Sequence, residues 1–204
     1  MIDKQTFTAD NLPEDFNVSS TQVKDFAPID PTETYTVEVI KAEVRSNPYY
    51  RPDEKDPTKQ GSKYQFSFEF AILDDGEYYG RRIWDTTGTA FKPDSKKGAT
   101  KLYRIVMAAM QTAMSWDDCA LFNPDTVTFV KNLQTEVVGK QLKVGLENTV
   151  SKTNGKTYSK IRVYNPIKKA LPKFDQEKST ALAQKLANKE LKEKEDWEKK
   201  REGK

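Results

Sequence analysis

Apolar and polar residues alternate most strictly between Lys63 and Leu73. Tyr64, Phe66, Phe68, Phe70 and Ile72 hold one parity, and Gln65, Ser67 and Glu69 hold the other. A strand repeats every two residues, so the stretch predicts a strand with one aromatic and one polar face. At helical spacing the same aromatics would scatter around the axis. Asp74-Asp75-Gly76 follows as hairpin-turn chemistry, and Glu77 to Thr86 predicts the returning strand. There Tyr79, Arg81 and Ile83 share one parity, and Tyr78, Gly80, Arg82 and Trp84 the other.

Upstream, Tyr35 to Arg45 predicts a strand whose apolar parity switches, from Val37 and Val39 to Ile40, Ala42 and Val44. A bulge produces such a switch and lets a sheet curl; a strand buried on both faces is the simpler alternative. Downstream, Leu102, Ile105, Val106, Ala109 and Met110 mark one face of a helix over Ala99 to Ser115, and Thr126 to Leu133 predicts a short second helix. Gln141 to Glu147 is a fourth strand, with Leu142, Val144 and Leu146 on one face. Asn154-Gly155 is the strongest hairpin signal in the chain. It introduces a fifth strand, Lys156 to Tyr164, with Ile161 and Val163 facing in and Tyr158, Lys160, Arg162 and Tyr164 facing out.

The flanks lack this patterning. Residues 1–32 show isolated apolar side chains between prolines and predict an extended arm or a loosely ordered tail. Ser46 to Ser62, with three prolines among them Pro48 and Pro52, is a connection too long and too broken for regular structure. Pro166 and Pro172 end the domain, expected over 33–167, and 168–204 is a C-terminal charged helix whose few apolar residues include Leu182, Leu186 and Trp197. Pairs such as Glu190–Lys194 support it locally.

Composition narrows the chemistry. The 204 residues contain no histidine and a single cysteine, Cys119, which is expected to be an inert core thiol. The commonest general base and zinc ligand are thus missing, as is any internal disulfide. Asp74, Asp75 and Glu77 read as a turn rather than a metal site, and no catalytic constellation stands out, so a non-enzyme without metal or cofactor is expected. No apolar run is long enough to span a bilayer, and the first residues do not form a signal peptide, so a cytoplasmic protein without a membrane partner is the expectation. A net charge of +3 is too small to indicate nucleic-acid binding by itself.

Strand, strand, strand, helix, strand, strand, with a curled antiparallel sheet, predicts a β-barrel of OB-fold type: mainly β, five antiparallel strands and a helix between the third and fourth. The alternative is an antiparallel sheet covered on one side by helices. The Lys63–Leu73 strand, Gly80-Arg81-Arg82-Ile83-Trp84, and Gly139-Lys140 through Leu142, Val144 and Leu146 to Asn154-Gly155-Lys156 and Tyr158 resemble the OB-fold single-stranded DNA-binding proteins of tailed bacteriophages. The resemblance covers roughly Tyr35 to Pro166 and rests on strand patterns and turns. It implies single-stranded DNA as partner, in replication, recombination or repair. Many such proteins end in an acidic tail that recruits partners, whereas Asp175 to Lys204 is mixed in charge with a basic end. Replication or recombination proteins are therefore only candidate partners of the C-terminal helix.

A single-strand binder needs cations for phosphates and aromatic faces for bases. Candidates are Tyr49, Tyr50, Arg51 and Lys59 in the first long loop; Arg81, Arg82 and Trp84 on the third strand; Lys152 and Lys156 beside the hairpin; and Tyr158, Lys160, Arg162 and Tyr164 on the fifth strand. Trp84 could equally cap the barrel or pack under the helix, Tyr49 and Tyr50 could fold back onto the domain, and the fifth strand could be a solvated face with cross-strand pairs. The rival function is a protein-interaction module with an OB-like barrel that docks a replication or phage-assembly partner.

Overall fold

A computed structural model describes residues 28–56, 60–89, 100–111 and 126–202. Five strands, β1 (Thr34–Ser46), β2 (Tyr64–Ile72), β3 (Arg82–Gly88), β4 (Gln141–Val150) and β5 (Thr157–Asn165), form one antiparallel sheet in the order β3-β2-β1-β4-β5. Among the described residues three longer helices accompany it: α1 (Lys101–Met110), α2 (Thr126–Val137) and α3 (Gln176–Glu202). The protein is thus mixed α/β, with α1 and α2 between the third and fourth strands. Lys59 and Cys119 lie outside the described residues.

The inner face of the sheet is the core. Val37 and Val39 of β1, Phe66, Phe68, Phe70 and Ile72 of β2, Ile83 of β3, and Leu142, Val144 and Leu146 of β4 are buried together with Leu102, Ile105 and Val106 of α1 and Leu133 and Val137 of α2. Phe66 meets Phe129 of α2 edge to face, at 5.9 Å between ring centres. Thr100 caps α1 by accepting a hydrogen bond from the Tyr103 amide, and Gln111 ends it in the left-handed region.

The parity switch in β1 is a bulge. Val39 pairs with Phe70 and Lys41 with Glu69, so Ile40 is the extra residue and the buried set shifts to Ala42. A second bulge lies where Gly145 pairs with Val163 and Leu146 with Ile161. Arg162 is the extra residue there, and the expected faces reverse beyond it: Val163 turns outward and Tyr164 is buried, only 8% exposed. The outward placing of Tyr164 is therefore corrected, because the bulge rotates it into the core. The third strand also begins later than its alternation suggests. Residues 73–81 form a wide turn tied by the Tyr79 amide to the Gly76 carbonyl and the Arg81 amide to the Tyr78 carbonyl, and pairing starts at Arg82.

The ends of the sheet approach one another through side chains. The Tyr164 hydroxyl of β5 donates to the buried Asp85 carboxylate of β3, which also accepts from Lys101 of α1. The strand ladder itself does not join β3 to β5, so the sheet is open there and a closed barrel is not formed by backbone pairing. The domain reaches beyond 33–167 at both ends. Ile29 is buried in the core, its amide donating to Ser159 Oγ at 2.9 Å, and residues 171–179 pack on the sheet.

Candidate functional site

The face opposite the core is ruled by cross-strand rows. Because Val37, Phe70, Ile83 and Leu142 point inward, their neighbours Glu38, Ala71, Arg82 and Gln141 point outward. These four are successive partners, Gln141 with Glu38, Glu38 with Ala71 and Ala71 with Arg82. The chain after β5 lies along that row. Gln141 clamps the Leu171 backbone in both directions, donating to its carbonyl at 2.9 Å and accepting from its amide at 2.8 Å. The Phe174 amide donates to Glu38 at 3.2 Å, and the Phe174 ring lies 4.2 Å from the Arg82 guanidinium. Ala71, in the middle of the row, is fully buried although it faces outward.

Leu171 to Phe174 is thus a strap across the outer face, and it delivers α3. Asp175 caps the helix by accepting from the amides of Glu177 and Lys178 at 2.9 and 3.1 Å. Lys178 reaches Asp75 at 2.7 Å and lies over the Tyr79 ring, while Tyr79 stacks on Phe174. Gly80 has φ +75°, and any side chain there would collide with Ser179 of α3. Glycine is required on both counts. Ala181, Leu182 and Lys185 still line a cavity with Asp75, Gly76 and Tyr79, and further along α3 Leu191 and Trp197 are exposed. At 27 residues α3 extends for about 40 Å.

Beside the strap no described element covers the outer face, although Ser67 is buried among its neighbours. Its next rows are Lys41, Glu69 and Trp84; then Glu43, Ser67 and Thr86; then Arg45, Gln65 and Gly88. Trp84 is 60% exposed, so it does not pack under a helix. Lys41 and Arg45 both bind Glu43, the former at 2.7 Å. Hydrogen bonding from Lys41, then from Arg45, holds the Glu43 carboxyl below the usual carboxylate range. Arg82 is engaged by Glu69 at 3.5 Å, by Gln176 at 3.3 Å and by Phe174, and its Nη1 is buried without a hydrogen-bond partner.

The long loop after β1 is built on Asn47. Its side chain donates to the Ser62 carbonyl and accepts from the Tyr49 amide, while its backbone pairs with Lys63 and Tyr50. This holds Tyr49 in solvent, 82% exposed, with Arg51 exposed and Tyr50 half-buried. Tyr64, assigned by its parity to the aromatic core face, is half exposed beside them because the core ends at Phe66; Lys63 lies over its ring at 5.6 Å.

The remaining candidates stand elsewhere. The hairpin between β4 and β5 extends past the start of β1, whereas the Tyr49 loop follows its end. Tyr158, Lys160, Lys152 and Lys156 therefore form a second cluster, with Tyr158 accepting from Asn154 at 2.8 Å and Arg162 exposed on the bulge. Arg81 is half-buried by the Tyr78 ring at 5.7 Å, and its burial depresses its pKa. Along β1 the strap thus lies between two patches, while across the seam Lys160 acts on Asp85 of β3. Sequence reading overlooked Lys41, Arg45 and Tyr64; the first two alternate with Ala42 and Val44 beyond the bulge and were legible as outward cations. Among the described residues no cluster of three or more acidic or cysteine side chains could hold a metal ion, and no helix is long and apolar enough to cross a membrane.

A five-stranded antiparallel sheet with an open, aromatic-bearing outer face and a strapped C-terminal helix defines the class. The chain belongs to the DUF669 family, described as a protein of unknown function, whose match covers residues 16–179. No curated protein matches the chain. The family match ends at Ser179, the residue seated against Gly80, so it takes in the strap and omits the rest of α3.

Proposed function

We propose that this is a non-enzymatic single-stranded DNA-binding protein, acting on strands exposed in DNA replication, recombination or repair. Exposed aromatics near cations carry the reading: Trp84 stands next to Arg82 on the sheet face, with Glu69 between it and Lys41, and Tyr49 lies beside Arg51 at the end of that face. A tryptophan this exposed on a strand face contributes little by burial, but its ring suits an unpaired base, and cations on the same face suit the phosphates. The strand order, the bulge at Ile40, the helices between β3 and β4 and the Tyr164–Asp85 bridge support a partly open barrel of OB type. Fluorescence anisotropy with a labelled oligonucleotide and the same sequence as duplex tests this. Preference for the single strand is expected; equal or absent binding removes the reading.

A second reading has its own observation. Leu191 and Trp197 are exposed on a helix that leaves the sheet, which favours a protein partner for α3. Truncation after Ser179 separates the two, since single-strand binding survives it and partner binding does not.

A further inference from the structure

We propose that Phe174 occupies, on Arg82, the place of a stacked base, so that the strap and a single strand compete for the same guanidinium. The inference rests on the outer face being the single-strand site. The Phe174 ring covers Arg82 at 4.2 Å, a spacing that a nucleobase would reproduce. Arg82 and Trp84 are alternate residues of β3 and so neighbours on one face, which places this covered position next to the exposed tryptophan.

The strap also divides the face. Down the outer side of β1 the order is Arg45, Glu43 and Lys41 on the open rows, then Glu38 beneath the strap, then Thr36, whose partner is Lys143 of β4. Freeing the row Gln141–Glu38–Ala71–Arg82 joins the Trp84 rows to the Lys143, Lys160 and Tyr158 patch as one path. The capture of Arg82 is incomplete, since its buried Nη1 finds no partner under the strap; a phosphate oxygen accepts from such a group.

The strap's anchors suit release. Lys178–Asp75 is exposed at both ends, and Lys173 reaches Glu38 at 3.8 Å from a largely exposed position. Ion pairs of this kind are weak and screened by salt. The Leu171, Phe174 and Asp175 amides donate to Gln141, Glu38 and Tyr79 side chains rather than to a strand ladder, so they report directly on whether the strap is seated.

Hydrogen exchange of those three amides in the full chain, with and without a saturating oligothymidylate, is the test. Faster exchange on binding is expected. In parallel, Phe174→Ala and Ser179→Trp, the second altering only the helix side of the Gly80 contact, are each expected to raise single-strand affinity by about fivefold or more. Both are also expected to lengthen the shortest oligothymidylate that saturates the protein. If the wild-type chain binds while the amides stay protected, the competition is overturned and the single-strand reading stands. Unchanged or weaker binding by folded variants overturns it equally. If the wild-type chain binds no single strand, both fall together.

Discussion

The Tyr164 hydroxyl donates to the buried carboxylate of Asp85, which ties β5 to β3 across the open seam of the sheet. Lys101 of α1 binds the same carboxylate, so one group links two edge strands and a helix. Burial nevertheless pushes the Asp85 pKa above its ordinary value, outweighing Lys101 and the Thr86 amide. Tyr164→Phe removes one donor from a buried acceptor and is expected to cost about 1–2 kcal/mol in urea unfolding at neutral pH.

Lys101→Met makes the same site depend more strongly on pH. A carboxyl with a raised folded pKa is easiest to bury while protonated. Its ionisation therefore costs stability as pH rises from the unfolded value, about 3.9, through the raised folded value. Removing Lys101 raises the folded value further. The variant is expected to lose little stability in acid and progressively more toward neutrality, read from denaturant midpoints across pH. A loss independent of pH would mean that Lys101 acts by packing alone.

Glu43 restrains the open face. It neutralises Lys41 and Arg45, and their hydrogen bonds hold its carboxyl below the usual carboxylate range. Glu43→Gln frees both cations without shortening the side chain. It is expected to tighten single-strand binding severalfold at low salt and to steepen its salt dependence. Stability is expected to be nearly unchanged, because exposed pairs contribute little.

Trp84→Ala separates binding from folding. The ring is exposed, so the thermal midpoint is expected to hold. Single-strand affinity is expected to fall by about 1–3 kcal/mol, with Trp84→Phe recovering part of the loss. Anisotropy titrations and thermal melts of the same preparations check both halves.

Gly80→Ala addresses the strap's anchorage. The left-handed backbone and the collision with Ser179 act together. A loss of about 1–2 kcal/mol is expected, accompanied by faster amide exchange in the first turn of α3. Stability lost without change in that turn would place the strain in the 73–81 turn alone.

Much of this fold was legible because its signals are local. The period of β2, the parity switch at Ile40 and the Asn154-Gly155 turn each depend on adjacent residues. The bulge at Arg162 was hidden because Ile161 and Val163 keep perfect alternation in sequence while the ladder to Gly145 does not. Tyr78 and Tyr79 read as strand because their alternation continues that of β3, although they belong to a turn. The strap was illegible for a different reason: Pro166 and Pro172 signal the end of regular structure, and nothing local says that Phe174 finds Arg82, distant in sequence. For the candidate site, Trp84 and Tyr49 were legible as aromatics beside cations, whereas the core ending at Phe66, which leaves Tyr64 exposed, is a property of the packed sheet.

The central claim is that the open outer face holds a single strand by phosphate and base contacts. The most direct measurement is the affinity of the wild-type chain for a labelled oligothymidylate over a range of salt concentrations, with a duplex of equal length alongside. Each neutralised phosphate contributes about −0.7 to the slope of log K against log salt for single strands. With about four cations engaged, a slope near −3 is expected, together with clearly weaker duplex binding. A flat response, or a duplex bound as tightly as the single strand, would contradict the claim.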